Sequence, residues 1–437
     1  MKIRIQGGRL IDPASGLDRI TDLYIDSTLI AAIGEAPEGF VADREISADG
    51  RLLLPGLVDI QCRMREPGQT RKARIASETR AARAAGITSL CIPPDTLPPI
   101  DNSAVIELIH HSNLKAGNLC HLYPIGALTK GLEGEQLSNM AALRDTGCVA
   151  LSNAFAAFAN TLVQRRAMEY AAGLGMLVVI QPRDLSLYAN GCAHEGELAT
   201  RLGLPPVPEA AETAALAKDI ELVAQTGART HFGQLSCARS VEMIRQAKRD
   251  GLPVSCDVAM HQLFLVDRDI EDFDTHKLTL PPLRSMRDRD ALREGLADGT
   301  IDCICSDHQP QDQDSKLAPF PSASPGISAL ETLLPLGFRL IDEGVIDLPQ
   351  LVDRLSTAPA RIFGLPAGRL APGEIADAVI VETGRLDVCD PAGFLSAGKN
   401  SPFGGWDFSA RAVETLLAGK PSSGPQAAEL KRRASDR

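Results

Sequence analysis

The sequence predicts an α/β fold: a TIM-type (β/α)8 barrel carrying a small β-sandwich domain built from both termini. Three observations lead there. Eight short apolar runs, most of them followed by Ala- and Leu-rich stretches, fill the middle of the 437-residue chain, as strands buried on both faces and alternating with helices would. The two ends consist instead of β-branched segments punctuated by glycine and proline. The length suits one large barrel with a small appended domain.

Residues 1–54 supply "KIRIQGGRLID", "ITDLYID", "LIAAIGE" and "GRLLLPG", four strand-like segments separated by turn residues. The barrel is expected over 55–367. Its strands are "GLVDIQC" (56–62), "TSLCIPP" (88–94), "HLYPIGAL" (121–128), "CVALSN" (148–153), "MLVVIQP" (176–182), "ARTHFGQLS" (228–236), "PVSCDVAM" (253–260) and "IDCICSDHQP" (301–310). Helices between them include "ASETRAARAAG" (76–86), "NTLVQRRAMEYAAG" (160–173) and "SVEMIRQAKRDG" (240–251). "GRLAPGEIADAVIVE" (368–382) and "AVETLLAGK" (412–420) match the opening segments in character, so 1–54 plus 368–420 form the composite small domain. The last stretch, 421–437, is proline-, serine- and charge-rich and is expected to be a flexible tail.

The hydrophobic fraction of 44% and charged fraction of 23% are those of a globular protein. A net charge of −11 excludes general nucleic-acid binding through a basic surface. No run of 18 apolar residues offers a membrane span, and "MKIRIQGGRLIDP" lacks the apolar core of a signal peptide, so a cytoplasmic location is expected. The ten cysteines are scattered apart from Cys303 and Cys305, with no CxxC pair, and read as reduced, buried thiols. Eight histidines in the whole chain limit any imidazole-rich metal site.

In such a barrel the working face lies at the C-terminal ends of the strands. The first strand ends in "PGLVDIQCRMREPGQ", followed by "CIPPDTLPPIDN" (91–102), "KLTLPPLRSMRDRDALREGLADGTIDCICSDHQPQ" (277–311), "SPGISALETLLPL" (324–336) and "NSPFGGW" (400–406). In this order the stretches resemble dihydroorotase, the cyclic-amidohydrolase family that closes carbamoyl-aspartate to dihydroorotate. The similarity runs from about residue 8 to about residue 420, and the REPG and PPLR blocks mark this branch.

The resemblance implies a zinc site built from several strand ends. Its first-strand pair falls on Gln61 and Arg63, the fourth-strand ligand on Asn153, the fifth on Gln181 and the sixth on Gln234. Asp307 alone keeps the family's residue, at the acid/base position of the eighth strand. Zinc takes imidazole, thiolate or carboxylate donors, and neutral amide oxygens bind it weakly. Asn153 in place of an anion and Arg63 in place of a neutral imidazole make the pocket two charges more positive. A guanidinium about 4 Å from a divalent ion costs roughly 8 kcal/mol at an effective dielectric of 20. The expectation is therefore no metal and no functional catalytic residue. Arg63 should turn into the former site and pair with Asp307, with Asp59 as a further partner, while the three glutamines close a hydrogen-bond network. Cys62 should face the helices, and His231, His308 and His261 should be hydrogen-bonded scaffold residues.

Four substrate positions are implied as well. Arg65 stands where the family clamps the substrate carboxylate and is expected to have moved to a structural salt bridge. Asp95 replaces an Asn, Leu280 replaces the Asn before PPLR, and Gln311 replaces the last His of DHAPH. Because glycines and core motifs are intact while the ligands have changed, selection on surface or assembly is expected. Non-catalytic dihydroorotase-like subunits that bind aspartate carbamoyltransferase offer the precedent. The expected role is a scaffold subunit of de novo pyrimidine synthesis, in a homo- and hetero-oligomer of six copies of each chain. Two alternatives stand beside it: a cyclic-amide hydrolase with an atypical or absent metal, and a sensor that binds a carboxylate through Arg65. The barrel-mouth loops 65–74, 185–203 and 312–326 are candidate partner surfaces.

Overall fold

The protein is described here by a computed structural model covering residues 1–422. Of the expected tail, 421–437, all but the first two residues lie outside the described residues.

Eight parallel strands form the central sheet: Leu57–Asp59, Ile87–Ile92, His121–Ala127, Ala150–Ser152, Leu177–Ile180, Thr230–Phe232, Val254–Ala259 and Cys303–Cys305, each paired with its neighbours in chain order. A parallel bridge between Cys62 and His308 joins the first strand to the eighth, and Arg63 N donates to His308 O at 3.0 Å. Closure is thus made at the mouth, beyond the regular strands. The fifth strand shows why the runs are apolar throughout. Leu177 and Val179 belong to the core inside the barrel, whereas Val178 and Ile180 pack in the layer between barrel and helices. Period-two alternation buries every side chain when both faces are covered.

The helices follow the expected pattern with ends shifted by a few residues: Ile75–Ala84, Thr161–Gly173 and Ala238–Arg249. Glu66, from the REPG block, accepts a hydrogen bond from Ile75 N at 2.8 Å and so satisfies an open donor of the first helix. Asn160 does the same for its helix by accepting from Val163 N at 3.0 Å. On the third, Ser240, Val241, Ile244 and Ala247 form the buried stripe.

The flanks form one hydrogen-bonded sheet of eight strands that draws on both ends of the chain. Leu52–Pro55 links the two parts, pairing in parallel with Lys2–Asp12 and antiparallel with Ala378–Val388. Ile3, Ile5, Leu10, Leu23, Ile25, Ile380 and Leu416 share its core. All ten cysteines are buried and free. No helix of the described residues is long and apolar enough to cross a membrane.

Candidate functional site

At the mouth of the barrel Arg63 is 4% exposed and lies between two carboxylates. Its Nε donates to Asp95 Oδ2 at 2.8 Å, and its Nη1 donates to Asp307 Oδ1 at 3.2 Å. Asp307 is 1% exposed and accepts a second hydrogen bond from Gln309 Nε2 at 3.0 Å. Burial pushes its pKa up to about 7, and Arg63, shared with Asp95, offsets this in part. The expected Arg63–Asp307 pair is present, but Asp59 is not its second partner. Asp59 accepts from Ser306 N, Ser306 Oγ and Gln61 N, which engage its carboxylate. Asp95 takes that place and supplies the second anion beside the guanidinium. Both residues were visible in the sequence, and pairing the unexpected opposite charges near two strand ends would have found the contact.

The glutamines do not close a network. Gln61 Nε2, Gln181 Oε1 and both polar atoms of Gln234 are buried without a hydrogen-bond partner. Gln61 rises from the end of the first strand and Gln181 from the end of the fifth, and no hydrogen bond joins them among the described residues. Gln234 is held through its backbone, its N donating to Asp257 Oδ1 at 2.8 Å. Asn153 turns aside: its Oδ1 accepts from Thr129 N at 3.1 Å and Thr129 Oγ1 at 2.9 Å.

Arg65 also departs from expectation, because it makes no salt bridge among the described residues. Its Nε donates to Pro310 O at 3.0 Å, and Nη2 is buried without a partner. Burial and the neighbouring charge of Arg63 lower its pKa to about 10, which still leaves it protonated at neutral pH. Gln311 ties two mouth loops together, with Oε1 accepting from Lys72 at 2.7 Å and Nε2 donating to Pro325 O at 2.8 Å. Leu280 lines a cavity at the ends of the fifth and sixth strands.

Cys62 packs in the layer beneath the helices, near Met64. His308 lies 2.7 Å from Glu78 Oε2 through Nε2, and its Nδ1 accepts from Ala329 N. His231 contacts Ser255 Oγ through Nδ1 and Asp257 through Nε2. His261 differs, since neither ring nitrogen has a hydrogen-bond partner. Complete burial drives its pKa down to about 3, so it stays a neutral core residue.

Several residues were not singled out from the sequence. Phe155 lies 4.9 Å from the Arg63 guanidinium and 5.8 Å from that of Arg183. Arg183 stacks on the Tyr188 ring at 3.8 Å. Asp257 gathers His231, Gln234 N and the thiol of Cys305. Phe155 and Arg183 lie in loops, which carry no periodic signal. Backbone strain also collects here: Arg65, Ala154, Gln234 and Asp307 have φ of 60°, 49°, 57° and 47°, the left-handed region that non-glycine residues seldom occupy.

As a zinc cage this set does not fit. The positions implied for ligands hold three Gln, one Asn and a guanidinium already paired with the remaining carboxylate. Elsewhere, His194, Glu209 and Asp288 lie close enough to share a cation. Arg284 sits 3.2 Å from His194 Nδ1 and Arg287 pairs with Glu209 at 2.6 Å, so the cations needed there are already present.

A family model described as "Dihydro-orotase-like" matches residues 50–240. The "Dihydroorotase-like protein" of Pseudomonas putida is 49% identical over 426 residues, covering 98% of this chain and 100% of that one. The "Dihydroorotase" of Syntrophus aciditrophicus is 40% identical over 424 residues, covering 96% and 99%. Among solved structures, L-hydantoinase (dihydropyrimidinase) from Arthrobacter aurescens superposes with a TM-score of 0.85 at 23% identity, covering 96% and 95%, and establishes the fold. The chain belongs to the dihydroorotase-like family of cyclic amidohydrolases.

Proposed function

We propose that this chain is a catalytically silent, metal-free dihydroorotase-like subunit that serves assembly, with aspartate carbamoyltransferase as partner in pyrimidine synthesis. The observation that carries the reading is the Arg63 guanidinium held between Asp95 and Asp307. It stands where the family resemblance implies an imidazole, it is charged, and its counter-ions are in place. A divalent ion there would face its full charge. The strained residues at the strand ends support descent from a working site, because such strain collects where chemistry once had to be aimed. The partner rests on family resemblance.

The second reading is a cyclic-amide hydrolase with an atypical metal or none. It draws on the 40% identity to a protein named dihydroorotase and on Asp307, whose pKa near 7 suits proton transfer. One experiment separates the two: metal content and dihydroorotase turnover of the purified chain, alone and mixed with aspartate carbamoyltransferase. No stoichiometric metal, no turnover and a joint complex of discrete mass are expected. Turnover by the isolated chain would replace the first reading by the second. Failure to form a complex would remove the assembly role.

A further inference from the structure

In the small domain the strand Ala378–Val388 has one open edge. Residues 378–381 pair with Leu52–Pro55 on one side and with Asp407–Leu417 on the other. Beyond Val381 only the second pairing continues, so among the described residues 382–388 have no strand on the side that Leu52–Pro55 leaves. The remaining ladder is interrupted as well. Thr383 stands opposite Ala410 and Asp387 opposite Phe408, and the bulge between them leaves 384–386 with no residue directly opposite. This open segment carries Leu386 and Val388, 70% and 65% exposed, which lie two residues apart and so on one face of an extended chain. A single exposed leucine is ordinary, but an unpaired edge with neighbouring apolar side chains is a template for another strand. The charges flank Leu386 with opposite signs. Arg385 and Asp387 pair with each other at 3.2 Å, and Arg411 reaches Asp387 at 3.4 Å.

We propose that this edge is an interface between two copies of the chain, with the segments 382–388 pairing antiparallel about a two-fold axis at Leu386. A two-fold interface sets residue i against j and j against i. Centred on Leu386, it puts each Arg385 opposite the partner subunit's Asp387, two attractive cross-strand pairs from one short sequence. A parallel, in-register pairing would instead set arginine against arginine and aspartate against aspartate, which is repulsive. The same register places Leu386 against the partner subunit's Leu386 and Val388 over the partner subunit's Gly384. That glycine has no side chain, and no atom lies within 4 Å of where a Cβ would stand, so the valine has room. The exposed apolar face is thereby covered and the free backbone groups gain partners. One short edge buries less than the roughly 1,000 Å² of a lasting interface, so the association is reversible and depends on concentration in the micromolar range. The inference uses no residue of the barrel mouth and stands apart from the metal-free and assembly readings.

The test is sedimentation velocity of the full chain from about 1 to about 100 µM. The average mass is expected to rise with concentration, and Leu386→Lys should weaken the self-association about tenfold or more. The decisive arm uses charge. Arg385→Asp and Asp387→Arg each set like charges opposite one another, so each variant alone should associate about tenfold more weakly than wild type. An equimolar mixture of the two restores both attractive pairs and should associate as wild type does. All three positions are exposed, and thermal unfolding checks that each variant is folded. A monomer at every concentration, an assembly indifferent to Leu386→Lys, or a mixture no stronger than the separate charge variants would overturn the proposal.

Discussion

Arg63 is long enough to reach both Asp95 and Asp307 from one strand end, and its fork presents separate donors to each. Truncating it would leave the 1%-exposed Asp307 without its cation. Arg63→Ala is therefore expected to lower the free energy of unfolding by about 3–5 kcal/mol, measured by urea titration at pH 7. A loss under 1 kcal/mol would show that the pair contributes little. Asp307 also makes a pH signature. An unfolded Asp titrates near pH 4, whereas burial raises the native group to about 7. Between those values the native chain holds a proton that the unfolded chain has released. The stability contributed by this group is full below pH 4 and declines as pH rises toward 7, by roughly 4 kcal/mol at most. Asp307→Asn should flatten that slope when urea unfolding is repeated across pH 4–8, and an unchanged slope would refute the assignment.

At the scale of elements, the loops at the mouth are tied to the barrel and to one another. Arg71 pairs with Asp312 at 3.0 Å, and Lys72 donates to Gln311 at 2.7 Å, joining loop 65–74 to loop 312–326. Gly68 allows loop 65–74 to pass close to the segment near Leu97. Its φ is +100°, and a Cβ there would meet Leu97 O at 2.2 Å. Gly68→Ala should cost about 2 kcal/mol or more through this clash and the disfavoured φ, read as a lower thermal midpoint. Glu78 ties the first helix to the eighth strand and to a later loop, receiving Ser396 Oγ at 2.6 Å and Ala397 N at 3.0 Å and lying 2.7 Å from His308. Glu78→Ala strands two buried groups, Ser396 Oγ and His308, and should destabilise by about 3 kcal/mol; a change within 0.5 kcal/mol would show that solvent replaces them.

The whole molecule carries a net charge of −11 yet gathers four guanidiniums, those of Arg63, Arg65, Arg183 and Arg284, at its barrel mouth. That separation gives an anion a reason to approach one face of an acidic protein and a cation none. Since anything bound to the native state alone raises stability, chelator and added zinc serve as a test of the proposed metal-free state. Excess EDTA, and separately one equivalent of zinc, should shift the thermal midpoint by less than about 1 °C. A midpoint that falls with EDTA and returns with zinc would demand a metal site that the donor set does not suggest.

Sequence determined the architecture because it is written in periodicity. The eight apolar runs, their two-sided burial and their alternation with helices follow from residue type alone, and motif order was enough to indicate the family. It also determined that Arg63 would meet Asp307, since an added cation facing a retained anion leaves little choice. Tertiary structure decided the rest. That Asp95 is the second partner, that Asp59 is occupied by Ser306, that Arg65 has no carboxylate and that the glutamines keep unpaired polar atoms are consequences of where eight strand ends point around a closed barrel. The Phe155, Arg183 and Tyr188 stack was likewise invisible in the chain. Phe155 lies in one irregular segment, Arg183 in another, and Tyr188 ends the one-turn helix Leu185–Tyr188, pieces too short to carry a periodic pattern.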